Sequence, residues 1–484
     1  MVDLGVTKHK GSIQLILLAG IALYVVVLIV SQANDLFWMS ALIPSALGLV
    51  WLATFRIRYL YYFLWFFIPL SAEVMVTQRM ALDIPGEPLL IILSFLALLI
   101  LVKKGLVVHK KTASLSIMAL VILHIFWVFF TCLFSDDLLT STKFLMAKTW
   151  YVLPFFVLPF FILDRKRGDY EILIKCFLIG LMIAGAYVFY QHFQEGLSFS
   201  SRTNVGSPIF RNHVNYSSIL TIALPCVWYL YRRSRFNKWL YLGIACILLI
   251  FLYFTYARVA YVAIFAAFVG LMIIRMKWLL GVCVVGVLAL LVGVVYLFHN
   301  NNYLNYSPDY EQAISHHKFD RLLSATYRGE DVSSMERVYR WVAGVHMIID
   351  KPWVGFGPGR FYENYKRYTV HGFKTYVSDN PDKSGIHNYY LMLVVEQGIL
   401  GLVIFLSLLI VILARAQHLF HNIRQRGDKD LLSMAIMILF MICTINLIND
   451  MFEVIKVGSF FFLSAHIVAR NWVDESDLAR ENYR

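Results

Sequence analysis

The sequence predicts an all-α polytopic membrane protein, a bundle of about 12–14 transmembrane helices with one large extracytoplasmic loop. Three observations predict it. Hydrophobic residues make up 60% of the 484 positions and charged residues only 15%, too little charged surface to disperse a soluble globule of this length. Apolar runs about 20 residues long recur along the chain, each able to cross a hydrocarbon layer of about 30 Å as a helix. Cations collect in alternate connections between those runs.

Taken in order, spans are expected at 12–31, 36–54, 59–75, 87–102, 113–132, 146–163, 171–190, 216–231, 237–254, 258–274, 278–298, 388–411, 430–448 and 455–469. Continuous runs such as 12–31 and 278–298 lack the short alternating pattern of barrel strands. The first run follows Lys8 and Lys10, exceeds a typical signal-sequence core and reads as an uncleaved span. Three regions follow: an N-terminal bundle over 1–298, the large loop over 299–387, and C-terminal helices with a tail over 388–484.

With a cytoplasmic N-terminus, alternate connections gather Arg56 and Arg58, then Lys103, Lys104, Lys110 and Lys111, then Arg165, Lys166 and Arg167. Later inside segments hold Arg232, Arg233, Arg235 and Lys238, then Arg275 and Lys277, then Arg415, Arg424, Arg426 and Lys429. The opposite connections are sparse, with Arg79, Lys143, Arg202, Arg211 and Arg258 as their clearest cations. This repeated bias puts both termini inside and the large loop outside. It also accounts for the net charge of +13 without any nucleic-acid partner. The six cysteines, at 132, 176, 226, 246, 283 and 443, lie in or beside apolar runs with neither zinc-ligand spacing nor a disulfide framework.

Chemistry concentrates on the outer face. The loop segment 335–350 carries an apolar stripe of Met335, Val338, Val342, Val345 and Ile349, with Arg337 and Arg340 on another side. Those arginines read either as an anion-binding patch or as interfacial anchors paired with Glu336. The segment 351–361, KPWVGFGPGRF, combines Pro352 and Pro358 with Gly355, Gly357 and Gly359. It lacks the ending of a phosphate-binding loop and reads as a shaped turn with Arg360 beside it. His387 and Asn388 stand where the loop meets the next span, a position where a histidine is either structural or a proton acceptor. Arg211 sits near Asn212, His213 and Asn215, and Arg258 sits in an outer turn. An arginine at a membrane edge calls for a pairing partner or an anionic ligand. Asp450 and Glu453 read as acceptor contacts, partners of the outer arginines, or a solvated turn. Glu396 lies nine residues beyond His387, roughly on the opposite helix side, so the two are not assigned as a pair.

The motifs FRNHVNYS at 210–217, TYAR at 255–258, ERVYRWVAGVHMIIDKPWVGFGPGRF at 336–361 and IHNYYLMLVVEQGILG at 386–401 resemble the bacterial O-antigen ligase and O-antigen polymerase superfamily. The resemblance covers the second half as motifs and nearly the whole chain as architecture. It implies a GT-C-like membrane glycosyltransferase of the bacterial inner membrane, with its site facing the periplasm and an undecaprenyl diphosphate-linked glycan as donor. It carries the diphosphate-binding role to Arg211, Arg258, Arg337 and Arg340, and the catalytic role to His387, with Asn215, Glu336, Arg360 and Asn388 in support. Such a reaction needs no cofactor and no metal cluster: arginines stabilise the departing diphosphate, the histidine takes the acceptor proton, and direct displacement inverts the anomeric centre.

The acceptor is lipid A-core for a ligase, the favoured reading. For a polymerase it is a second lipid-linked repeat, with a chain-length regulator as partner. A lipid transporter or flippase is a competing class. It would more naturally place several polar groups near midplane, for which Lys148 and Lys175 are the candidates. A non-catalytic scaffold would tolerate loss of His387.

Overall fold

The computed structural model describes residues 56–77, 80–104, 114–164, 168–199, 201–203, 205–306, 332–369 and 385–470. The expected spans 12–31 and 36–54, and the loop portions 307–331 and 370–384, lie outside the described residues. The protein is an all-α polytopic membrane protein. Eight of its described helices are long and apolar enough to cross a membrane.

The first described helix, α1 (Ile57–Phe67), continues through a 3-10 turn to Leu70 and stops. The expected span 59–75 is therefore shortened. Its last residues form β1 (Ala72–Thr77), which pairs antiparallel with β2 (Met80–Ile84), Glu73 opposite Asp83. The physical reason is local: Ser71 leaves the helix with extended backbone angles, and alternating β-formers follow it.

Helices α2 (Gly86–Lys104) and α3 (Leu115–Cys132) match their expected spans. Helix α4 (Leu138–Val152) begins eight residues before the expected 146, because the Asp137 carboxylate accepts the Leu139 and Thr140 amides at 3.1 and 3.3 Å. It passes through a π turn at Leu153–Val157, around Pro154, and ends near Ile162. Then follow α5 (Asp169–Gln194), α6 (His213–Arg233), α7 (Lys238–Phe254), α8 (Arg258–Met276) and α9 (Leu279–Phe298). Beyond α9 come helix α10 (Val332–Asp350) and short α11 (Phe361–Tyr365). Then α12 (Tyr389–Asn422), α13 (Arg426–Ile448) and α14 (Ile455–Ala469) close the fold. The expected span 388–411 thus runs on for eleven residues.

Helix α14 is buried at every position, as a helix apolar on all sides must be. At about 1.5 Å per residue it is too short to cross the hydrocarbon layer alone, and neighbouring helices sheathe it. Trp65 anchors that core, with edge-to-face contacts to Phe155 and Phe460 at 5.4 and 4.9 Å. Helix α8 packs on α13, where Gly270 lies flat against the Phe440 ring, the small-residue approach that membrane helices use. Helix α9 exposes almost all of its apolar side chains, consistent with a lipid-facing surface.

Helix α12 breaks at Gly398, whose φ is +74°. The glycine-rich segment docks on that break. Phe356 and Gly357 donate amides to the carbonyls of Val395 and Glu396 at 2.9 and 3.0 Å, and Ile399 donates to Pro352 at 2.8 Å. Gly355 and Gly398 both lack room for a Cβ, since the facing backbone stands 2.5 and 2.0 Å from where it would lie. The Glu396 carboxylate then accepts the Gly359 and Phe361 amides at 2.9 and 3.2 Å. What the sequence presents as an outer turn is inserted into a membrane helix.

Candidate functional site

Three groups of polar side chains come together around the N-terminal ends of α6, α8 and α12. The first is centred on His387. This residue adopts φ +55°, a left-handed conformation that non-glycine residues seldom take. Its Nδ1 lies 3.6 Å from Asp450 Oδ1 in the turn between α13 and α14, an ion-pair distance slightly beyond a direct hydrogen bond. Arg340, buried, donates to the Gly385 carbonyl at 2.8 Å, and Gly385 packs so closely on the Asp450 carboxylate that a Cβ would meet its Oδ2 at 1.8 Å. Burial pushes the Asp450 carboxyl up, but His387 and, more weakly, Arg340 outweigh it and hold the group below its ordinary range. Asn388 caps α12, its Oδ1 accepting the Leu391 amide at 3.0 Å.

The second group is cationic. Arg202 and His213 line one small crevice. Burial pulls the His213 pKa down to about 4, and the positive fields of Arg202 and Arg337 add to the effect, so the ring is neutral near pH 7. Arg202 is itself lowered by burial and by Arg258. Arg202 of the 201–203 turn thus lies in the field of Arg258 from the first turn of α8, and Arg202 together with Arg337 of α10 bears on His213. Arg258 opens α8, where the helix dipole disfavours a cation and favours an anion.

The third group lines a pocket of about 300 Å³ next to the hairpin: Glu73, Asp83 and Glu87 with Arg211, Asn215, Glu453 and Lys456. Glu453 also pairs with buried Lys148 and accepts from the Tyr389 hydroxyl at 3.0 Å. Lys456 is bound to the carbonyls of Ser71, at 2.9 Å, and Ile209.

Against the expectations, His387 meets Asp450, Arg258 lies in the field of Arg202, and Arg337 in that of His213. Arg340 is a buried strap one turn along α10 from Arg337, and Arg211 faces carboxylates. Arg360 pairs with Asp137 at 3.4 Å, the structural alternative to ligand binding. The side chain of Glu336 lies outside the described residues. The apolar stripe shifts as well: Val342, Ala343 and Met347 are buried, whereas Ile349 is exposed, because Gly344 turns the helix face toward Ile386. Sequence reasoning assigned no role to Arg202 and left Asp450 and Glu453 undecided. The signal that could have marked Arg202 was its place in the cation-poor outer set. Lys148, an apparent midplane charge, is neutralised by Glu453.

The fold and these groups define a multi-pass membrane protein with a polar site assembled at the ends of its helices. Residues 243–406 match the family model described as O-antigen ligase, which supports the resemblance of this segment to the O-antigen ligase/polymerase superfamily. No curated protein matches the chain. The matched segment contains Arg258, Arg337, Arg340 and His387, while Arg202, Arg211, Asn215 and Asp450 lie outside it.

Proposed function

We propose that the protein transfers a glycan from undecaprenyl diphosphate to an acceptor hydroxyl at the periplasmic face of the bacterial inner membrane. The observation that carries this reading is the spacing on α10. Arg337 faces His213 of the cationic group, and one helical turn later Arg340 holds the segment that presents His387. A leaving diphosphate and a proton acceptor are the two things glycosyl transfer requires at adjacent points.

In this mechanism Arg258, Arg337 and Arg202 receive the diphosphate, with Arg211 at their border through the segment 211–215. Together they stabilise the negative charge that grows as the anomeric C–O bond breaks. Neutral His213 adds no repulsion or further charge. His387 takes the acceptor hydroxyl proton while the oxygen attacks, and Asp450 orients the ring and stabilises the resulting imidazolium. Attack opposite the leaving group inverts the anomeric configuration. Cleavage of the glycosyl–diphosphate bond supplies the driving force and undecaprenyl diphosphate departs intact, so no nucleotide is consumed.

Purified protein incubated with a defined undecaprenyl diphosphate-linked repeat, with and without lipid A-core, tests the proposal. Glycan attached to lipid A-core is the expected product of a ligase. Repeat lengthening without core would assign a polymerase, and lipid movement without glycan transfer would reject both.

A further inference from the structure

The carboxylate-rich pocket beside the hairpin is poorly matched to a diphosphate. Glu73, Asp83, Glu87 and Glu453 face it, and of its two cations Lys456 is already tied to backbone carbonyls. The other cation, Arg211, is exposed. An incoming polyanion would be repelled. A neutral ligand rich in hydroxyls suits these walls, because each carboxylate accepts hydrogen bonds and cannot donate while ionised.

An independent observation points to a ligand. Asn215 is more than nine-tenths buried and borders the pocket. Its backbone amide is fixed by Asn212 Oδ1 at 2.9 Å, yet its side-chain amide has no hydrogen-bond partner among the described residues. The amide atoms are not sealed in the core but are reached from the pocket. A group bound there would meet an amide that can both donate to and accept from a hydroxyl. Burial also pushes the Asp83 carboxyl above its ordinary range, with Lys456 opposing and Glu73 adding. The volume stands at the lower end of small-molecule sites, about 300–1,000 Å³, enough for a terminal sugar and not for an extended glycan.

We infer that this pocket is a saccharide-binding subsite in which Asn215, Asp83 and Glu73 hydrogen-bond the hydroxyls of one sugar unit. The inference rests on the glycosyl-transfer reading for the kind of ligand, and its sugar belongs to the acceptor or to the donor glycan. Position supports it: Arg211 and Asn215 flank His213 in one short segment, so the subsite adjoins the cationic group.

The test is carbodiimide-mediated amidation of the carboxylates in the full-length protein, read by peptide mass spectrometry. The probes are free disaccharides, neutral and N-acetylated, with inorganic pyrophosphate as a separate probe. The inference expects a disaccharide to protect Glu73 and Asp83 and pyrophosphate not to. It also expects Asn215→Ala to weaken that protection about tenfold, the worth of a lost hydrogen bond of 1.4 kcal/mol. No protection by any disaccharide, or protection by pyrophosphate, overturns it.

In the transfer assay, Asn215→Ala and Asp83→Asn should raise one KM about tenfold with kcat little changed. A shift in acceptor KM assigns the sugar to the acceptor, and a shift in donor KM assigns it to the donor. If both variants keep both wild-type KM values, the subsite is rejected. Protection by sugar in a protein that performs no transfer would uphold the subsite and reject the transferase reading.

Discussion

The cationic group around Arg202 and the carboxylate pocket around Asp83 are neighbours of opposite character, joined by the five residues 211–215. Three arginines from separate elements gather in the first, and four carboxylates face the second. On the proposed reading, the contrast sorts the ends of one substrate complex by charge, phosphate to one side and sugar to the other, with His387 between them as the proposed base. His387 holds a left-handed backbone conformation, φ +55°, the sort of local cost that functional sites carry.

The most severe break should come from His387→Ala. General-base catalysis contributes about 10²–10⁴-fold, and turnover should fall by that range while donor still binds; wild-type turnover would remove His387 from the chemistry. Next come Arg258→Ala and Arg337→Ala, each costing about 10²–10³ in turnover if it stabilises charge on the leaving group. Loss of equal size with an ordinary phosphate-free activated sugar as donor would show that these arginines act on the fold instead.

A smaller effect is expected from Asp450→Asn, about tenfold in kcat, as for a lost orienting contact worth roughly one hydrogen bond. Its pH signature sharpens the assignment. Because the folded-state pKa is depressed, stabilisation by ionised Asp450 is complete above the ordinary carboxylate value and is lost as pH falls through the lower folded value. Thermal stability of the wild type should therefore decline below about pH 4, and the Asn variant should lack that portion of the decline. Gly355→Ala should act on stability, by about 1–3 kcal/mol, because φ is +68° and α12 backbone blocks the Cβ. The least change should follow Arg360→Ala, under about 1 kcal/mol for a partly exposed pair. Loss of glycan transfer in that variant would return Arg360 to the site.

Most helices were legible because a membrane makes apolar run length a direct readout of structure. Helix α14 matches its expected limits at both ends, and α7 and α8 fall where a closely spaced pair was expected. Legibility failed where the backbone left the helical pattern. The hairpin at 72–84 extends an apolar run without a composition change, and the early start of α4 depends on one capping carboxylate. The docking of 351–361 into the α12 break is a tertiary event that the glycines permit but do not specify.

Within the site, the individual residues were visible as exposed-side cations and a histidine at a helix start. Their grouping was not, because Arg202, Arg258 and Arg337 are far apart in sequence. Asp450 could not be joined to His387 across sixty-odd residues by periodicity alone. The same limit hid the charge contrast, since Arg211 reads as one more outer cation until its carboxylate neighbours are in view.

The most direct test of that contrast is equilibrium binding of undecaprenyl diphosphate without glycan, compared among wild type, Arg337→Ala and Asp83→Asn. Weakened binding in Arg337→Ala with wild-type affinity in Asp83→Asn is the predicted result. Undiminished binding in Arg337→Ala, with the loss found in Asp83→Asn, would place the diphosphate in the carboxylate pocket and contradict the account.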